Sequence, residues 1–359
     1  CGIYAAWKDN IIVNDGTFDI ERGVGVLCRG GKVTIKGGTF TTTDPDDKTG
    51  RVGDSRIVVP CQTVYVDKDS KYSDYENATI EISGGSFSDD ACCDYLADGS
   101  GAVKEDELYM VQEAHEYTDY SSLSQATRST TNTNPILLNN PIETNSYLTV
   151  YPNNTIVFGG NGSFCCNNNN SERAVTINGK LSGVVNICGS GQITRRRQKT
   201  SKSAVDYAIN VSGSSSSSYT TDIIVNIYGN LIIDGGSGAN INRAINIQNG
   251  TVNIFGGYFY AGLGNDPTKK VSVIYLGSTL YKGHNTLNIH NGVFECEGDA
   301  SSLIDCVKGS TIRITGGIFV GFNPSDHVDG KNNSYVPDGY ESVEITYNGK
   351  QAWKVSKKR

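Results

Sequence analysis

The stretch Ile312-Arg313-Ile314-Thr315-Gly316-Gly317-Ile318-Phe319 decides the fold, because close copies of it recur along the chain. They are Val33-Thr34-Ile35-Lys36-Gly37-Gly38-Thr39-Phe40, Thr79-Ile80-Glu81-Ile82-Ser83-Gly84-Gly85-Ser86-Phe87, Val252-Asn253-Ile254-Phe255-Gly256-Gly257-Tyr258-Phe259 and Leu287-Asn288-Ile289-His290-Asn291-Gly292-Val293-Phe294. Fainter versions are Asn14-Asp15-Gly16-Thr17-Phe18, Val175-Thr176-Ile177-Asn178-Gly179, Val185-Asn186-Ile187-Cys188-Gly189 and Val225-Asn226-Ile227-Tyr228-Gly229. Apolar and polar residues alternate within each copy, the two-residue period of a strand with one buried face. The glycines that follow permit a sharp corner or a positive φ, and the next strand then begins. No helical period of 3.6 is sustained. Phe18 and Phe40 stand 22 residues apart, and a period in the low twenties with longer insertions is that of a solenoid coil. The expected fold is therefore all-β, a parallel β-helix (β-solenoid). Like residues of successive coils should stack about 4.8 Å apart, Val on Val and Phe on Phe.

Composition agrees. Glycine fills 42 of 359 positions, and charged residues make up only 19 %. Glycine costs about 1 kcal/mol in a helix interior, which argues against a bundle or coiled coil. The net charge of −7, from 31 basic and 38 acidic residues, argues against a nucleic-acid partner. No run approaches the roughly 18 apolar residues of a membrane span. The ten cysteines, Cys1, Cys28, Cys61, Cys92, Cys93, Cys165, Cys166, Cys188, Cys296 and Cys306, contain no C-x-x-C pair. They read as small buried thiols rather than metal ligands. The only methionine is Met110, so Cys1 reads as the start of a processed or trimmed product or a fragment. A lipidated N-terminal cysteine is the alternative.

The insertions Thr41 to Ser55, Lys68 to Asn77 and Gly213 to Tyr219 read as loops leaving the solenoid, and Arg195-Arg196-Arg197-Gln198-Lys199 as a solvated basic loop. Between residues 113 and 134 the repeat gives way to a Ser/Thr-rich linker. This divides the chain into a first module at 1–112, incomplete at its start, and a second at 135–359. Both end alike: Gly84-Gly85-Ser86-Phe87, Tyr95-Leu96-Ala97-Asp98-Gly99 and Leu108-Tyr109-Met110-Val111 in the first, Gly316-Gly317-Ile318-Phe319, Tyr335-Val336-Pro337-Asp338-Gly339 and Ala352-Trp353-Lys354-Val355 in the second. Each end is expected to be a small capping hairpin, since an uncovered solenoid edge is an aggregation template.

The phrase from Gly316-Gly317-Ile318-Phe319-Val320-Gly321-Phe322-Asn323-Pro324 to Val336-Pro337-Asp338-Gly339-Tyr340 resembles the end of pectate-lyase-like β-helix modules in fibre and spike proteins of gut bacteriophages. Leu303-Ile304-Asp305-Cys306 and Leu148-Thr149-Val150-Tyr151-Pro152-Asn153-Asn154-Thr155-Ile156 are similar too. The resemblance covers most of 135–355 and, less completely, 2–111; Ser100 stands where the second copy has Tyr340. It implies a head or tail appendage on the virion surface, outside the cell. It also implies a homotrimer that contacts other virion proteins and a host-surface polysaccharide or mucin glycan. Related modules occur in surface proteins of gut bacteria, so a bacterial adhesin is an alternative owner.

The sequence offers no catalytic motif. His115, His284, His290 and His327 lie near no nucleophile elbow, and the Gly-Gly pairs are turns rather than phosphate loops. A glycan-cleaving enzyme would need paired carboxylates about 5–10 Å apart. Glu295, Glu297, Asp299 and Asp305 form one acidic group and Asp44, Asp46, Asp47 and Asp54 another. Both read as solubilising acids, with calcium binding by Asp44, Asp46 and Asp47 as an alternative. No catalytic, cofactor-binding or metal-binding residue is assigned, and no cofactor is expected. Tyrosine, 20 of 359, points instead to sugar stacking or interfaces, at Tyr65, Tyr72, Tyr75, Tyr258, Tyr260, Tyr275 and Tyr281.

Overall fold

The computed structural model describes residues 1–43, 50–51, 58–67, 77–105, 107–132, 134–169, 171–197, 205–212, 222–264, 271–277 and 285–358. They form two compact units, Cys1–Glu116 and Tyr117–Arg359.

In the first unit each coil contributes one strand to each of three parallel sheets. Ile3–Ala5, Val24–Cys28 and Gln62–Val66 make the first sheet. Asn10–Val13, Lys32–Ile35 and Thr79–Ile82 make the second. Thr17–Ile20, Thr39–Thr42 and Gly85–Phe87 make the third. Register is kept from coil to coil: Val33 lies between Ile11 and Ile80, and Phe40 between Phe18 and Phe87. The three rings stack nearly parallel with centroids 4.7 and 5.0 Å apart.

The second unit repeats the plan over more coils. Its first sheet runs Ile136–Leu138, Asn154–Phe158, Gly183–Gly189, Ile223–Ile227, Gly250–Ile254, Asn285–Ile289 and Thr311–Ile314. The second runs Pro141–Thr144, Ser163–Cys166, Gln192–Arg195, Ile232–Asp234, Tyr258–Ala261, Val293–Cys296 and Gly317–Val320. The third runs Leu148–Val150, Arg173–Ile177, Val205–Val211, Ile241–Ile247, Ile274–Leu276 and Ile304–Cys306. Inside lie the aliphatic columns and the Phe259, Phe294 and Phe319 stack, with centroids 4.9 Å apart at each step. The opposite face of the first sheet carries an asparagine ladder. Asn226 Nδ2 donates to Asn186 Oδ1 at 3.0 Å, Asn253 to Asn226 at 2.9 Å and Asn288 to Asn253 at 2.9 Å. The side-chain amides of Asn226 and Asn253 thus both donate and accept, so polar residues repeat along the stack by bonding to one another.

The Gly-Gly corner is required twice over. A Cβ on Gly316 would fall on the carbonyl oxygen of His290 in the coil before. Gly317 has φ +105°, open to glycine and costly for other residues. The first glycine is there for close approach, the second for its dihedral.

Each unit also holds an antiparallel hairpin. Ser100–Glu105 and Leu108–Glu113 pair with each other and join Gly85–Phe87. Tyr340–Tyr347 and Lys350–Lys357 do the same at Gly317–Val320. The hairpin extends one sheet of three. In the second unit Phe322, Tyr335 and Val336, from the segment before the hairpin, also join the core.

Two expectations change. Within the 113–134 stretch, Tyr120–Ala126 is a helix that Asp119 caps by accepting from Ser122 N at 3.0 Å, and Leu123 and Ala126 belong to the second unit's core. The described part of the basic run is not a solvated loop: the Arg195 and Arg197 side chains are buried, and among its described residues only Arg196 is exposed, opposite Glu143. The reason is that strand Gln192–Arg195 carries Arg195 inward at its end, where Asp206 of the third sheet meets it. The serine tract 213–219, most of the insertions at 41–55 and 68–77, and Gln198 and Lys199 lie outside the described residues.

Candidate functional site

The third sheet of the second unit carries a phrase that repeats in register: Arg173-Ala174-Val175-Thr176-Ile177, Tyr207-Ala208-Ile209-Asn210-Val211 and Arg243-Ala244-Ile245-Asn246-Ile247. Pairing sets Arg173 beside Tyr207 and Tyr207 beside Arg243, and all three stay half-buried where the Ala, Val and Ile that follow them are buried. Arg173, Tyr207 and Arg243 therefore line up on one outer face. Tyr147 and Tyr275 continue the row: the Arg173 guanidinium lies 5.0 Å from the Tyr147 ring, and that of Arg243 lies 3.9 Å from Tyr275 and 5.9 Å from Tyr207. Arg243 Nε also donates to Ser272 Oγ at 3.1 Å. Cation–π contacts of this kind are worth about 0.5–2 kcal/mol each and hold both partners flat. Burial pushes the Tyr207 hydroxyl above its ordinary value against the opposing pull of Arg243, so the phenol stays neutral.

At the Tyr147 end the ladder opens into a polar cleft of about 590 Å³. Tyr147, Arg173, Arg128, Asn168, Ser171 and Glu172 line it. Tyr147 is 38 % exposed, and its carbonyl accepts from Tyr120 Oη at 2.9 Å.

A buried cluster fixes the rim. Arg195 donates to the carbonyls of Cys166 at 2.8 Å and Ser171 at 2.6 Å, and to that of Asn168. Arg197 holds the Asn169 carbonyl and grips both oxygens of Asp206. Two guanidiniums are buried against one carboxylate, and the carbonyls accept from the terminal nitrogens of Arg195, while its Nε is buried without a partner.

The acids singled out from sequence have structural partners. Glu295 accepts from Tyr258 Oη at 2.7 Å and pairs with Lys350. Burial alone would raise its carboxyl, but these two bonds hold it below the ordinary value, ionised. Glu297 accepts from Leu263 N at 3.2 Å, Asp299 from Ser301 N at 2.8 Å and Asp305 from Cys306 N at 2.8 Å. Asp44, Asp46, Asp47, Asp54, Tyr72, Tyr75, Tyr281 and His284 lie outside the described residues. Of the tyrosines named from sequence, Tyr275 joins the ladder. Tyr258 and Tyr260 stack on another face, and Tyr65 packs against Val24, Leu27 and Val59.

Sequence reading passed over Tyr147, Arg173, Tyr207 and Arg243. It also passed over Asp90 in the first unit, half-buried in the short helix Asp90–Tyr95 and pushed up to about 7 by burial and then by Asp89 and Asp94. Its neighbour Asp89 is committed to Thr63, taking its N–H at 2.7 Å and its hydroxyl at 2.6 Å. Among the described residues no group of three or more His, Cys, Asp or Glu could hold a metal ion, and no helix is long and apolar enough to cross a membrane. No protein-family model, curated protein or solved structure matches the chain.

Proposed function

We propose that this chain is an adhesive β-solenoid of a virion-surface appendage, which holds a host-surface polysaccharide or mucin glycan without cleaving it. The observation that carries the binding half is the tyrosine–arginine ladder ending in an open polar cleft. Flat aromatic faces suit the apolar faces of sugar rings, and guanidinium forks and amides suit their hydroxyls. The likeness of the module ends to phage fibre and spike modules supports the position on a virion, and with it the homotrimer and the neighbouring virion proteins. The bonds made by Glu295, Glu297, Asp299 and Asp305 support binding over cleavage, because each acid already serves the fold.

Incubation of the full chain with capsule and mucin glycans tests this. Retention of the glycan at unchanged chain length is expected, with Tyr147→Ala weakening it about tenfold, the scale of one lost stacking contact. Shortened glycan chains would overturn the binding-only reading. Asp90, protonated near neutral pH as a general acid must be, is then the first residue to substitute.

A further inference from the structure

The geometry points to a carboxylate-bearing sugar, a uronate or sialate unit of an acidic polysaccharide, as the ligand of the cleft at Tyr147 and Arg173. This rests on the glycan-binding reading and narrows it. Two guanidiniums, Arg128 and Arg173, line the cleft against one carboxylate, Glu172. The chain as a whole carries −7, so the cleft is a cationic spot on an acidic molecule. Among the described residues neither arginine forms an ion pair. Arg173 Nε is buried without a hydrogen-bond partner. A buried donor left open costs about 1–3 kcal/mol, so the fold itself does not meet all the donors of Arg173 with acceptor oxygens. A carboxylate supplies two such oxygens, in the planar geometry that guanidinium matches.

The remaining groups fit the rest of such a sugar. Tyr147 offers a partly exposed ring and Asn168 lines the cleft, while the buried Ser171 hydroxyl is held by the Arg173 backbone. Their backbone is held from beneath, since Arg195 grips the carbonyls of Cys166, Asn168 and Ser171. Arg195 is a positioning residue, and the rim it holds is ordered before any ligand arrives, which lowers the entropy cost of binding.

The test uses the full chain with polysialic acid, hyaluronan and polygalacturonate oligomers, each also in a carboxyl-reduced form in which the acid has become an alcohol. At least one native polymer is expected to bind, with carboxyl reduction and Arg173→Gln each weakening it tenfold or more. Arg313→Gln, which removes the same charge from a distant exposed position, should leave binding within twofold. The circular dichroism and melting temperature of Arg173→Gln should match the parent, separating a binding loss from a folding loss. Equal binding of native and reduced polymers, or an Arg313→Gln loss equal to that of Arg173→Gln, overturns the acidic-sugar assignment and leaves glycan binding standing. Retention of no glycan, acidic, reduced or neutral, overturns both.

Discussion

Single residues in this protein are governed by where the solenoid places them. Asp90 stands in sequence as one of several acids around two cysteines, yet its folded form keeps a proton up to about pH 7 because burial and then the neighbouring Asp89 and Asp94 penalise the charge. An unfolded aspartate ionises near 3.9. Between those values the unfolded chain binds fewer protons than the folded one, so stability falls as pH rises from about 4 to 7. Asp90→Asn removes that loss. At pH 8 the variant should melt above the parent, by about 1 kcal/mol once partial exposure is allowed for, and the two should coincide near pH 3.5. Thermal melts across that range check this; a difference that persists unchanged at low pH contradicts it. The buried arginines show the same dependence on place. Nothing in Arg195-Arg196-Arg197 tells which of the three faces inward. The strand that ends at Arg195, with Asp206 across the coil, decides it.

At the scale of elements, the coil is three strands and two of them announce themselves. The V-x-I strand and the strand opening on Phe are joined by the Gly-Gly corner, and that unit is what recurs in the sequence. The third strand carries Ala-Ile or Ala-Val after an outward Arg or Tyr, and long insertions separate its copies, so only Val175-Thr176-Ile177-Asn178-Gly179 among them answers, faintly, to the corner phrase. The hairpin at Tyr340–Tyr347 and Lys350–Lys357 has a role that follows from its pairing. It pairs with the edge of Gly317–Val320 and leaves outermost a strand in which Glu341, Val343, Glu344 and Thr346 are exposed. Removing residues 340–357 should expose that edge, which is a template for pairing with another chain. Light scattering should then show concentration-dependent aggregates that the full chain does not form. A dispersed deletion variant would show that the edge is guarded by other means.

At the scale of the molecule, the proposed attachment works through number. A single cleft meeting one sugar unit binds weakly, and several copies on one particle raise the effective concentration of the rest once the first has engaged. Analytical ultracentrifugation is expected to give the mass of three chains, and dilution into monomer should release a polymeric glycan faster than a short one; a monomer at all concentrations removes the trimer. The sequence by itself determined the β-solenoid and its two similar module ends. It could do so because a two-residue period, a left-handed glycine and a stacking phenylalanine are local demands, met within eight or nine residues and repeated. Only the tertiary structure decided the ladder, the cleft and the buried arginines. Tyr147, Arg173, Tyr207 and Arg243 become neighbours through coil register, which sums the lengths of irregular insertions between them. A chemistry assembled across the stack leaves no fixed spacing along the chain.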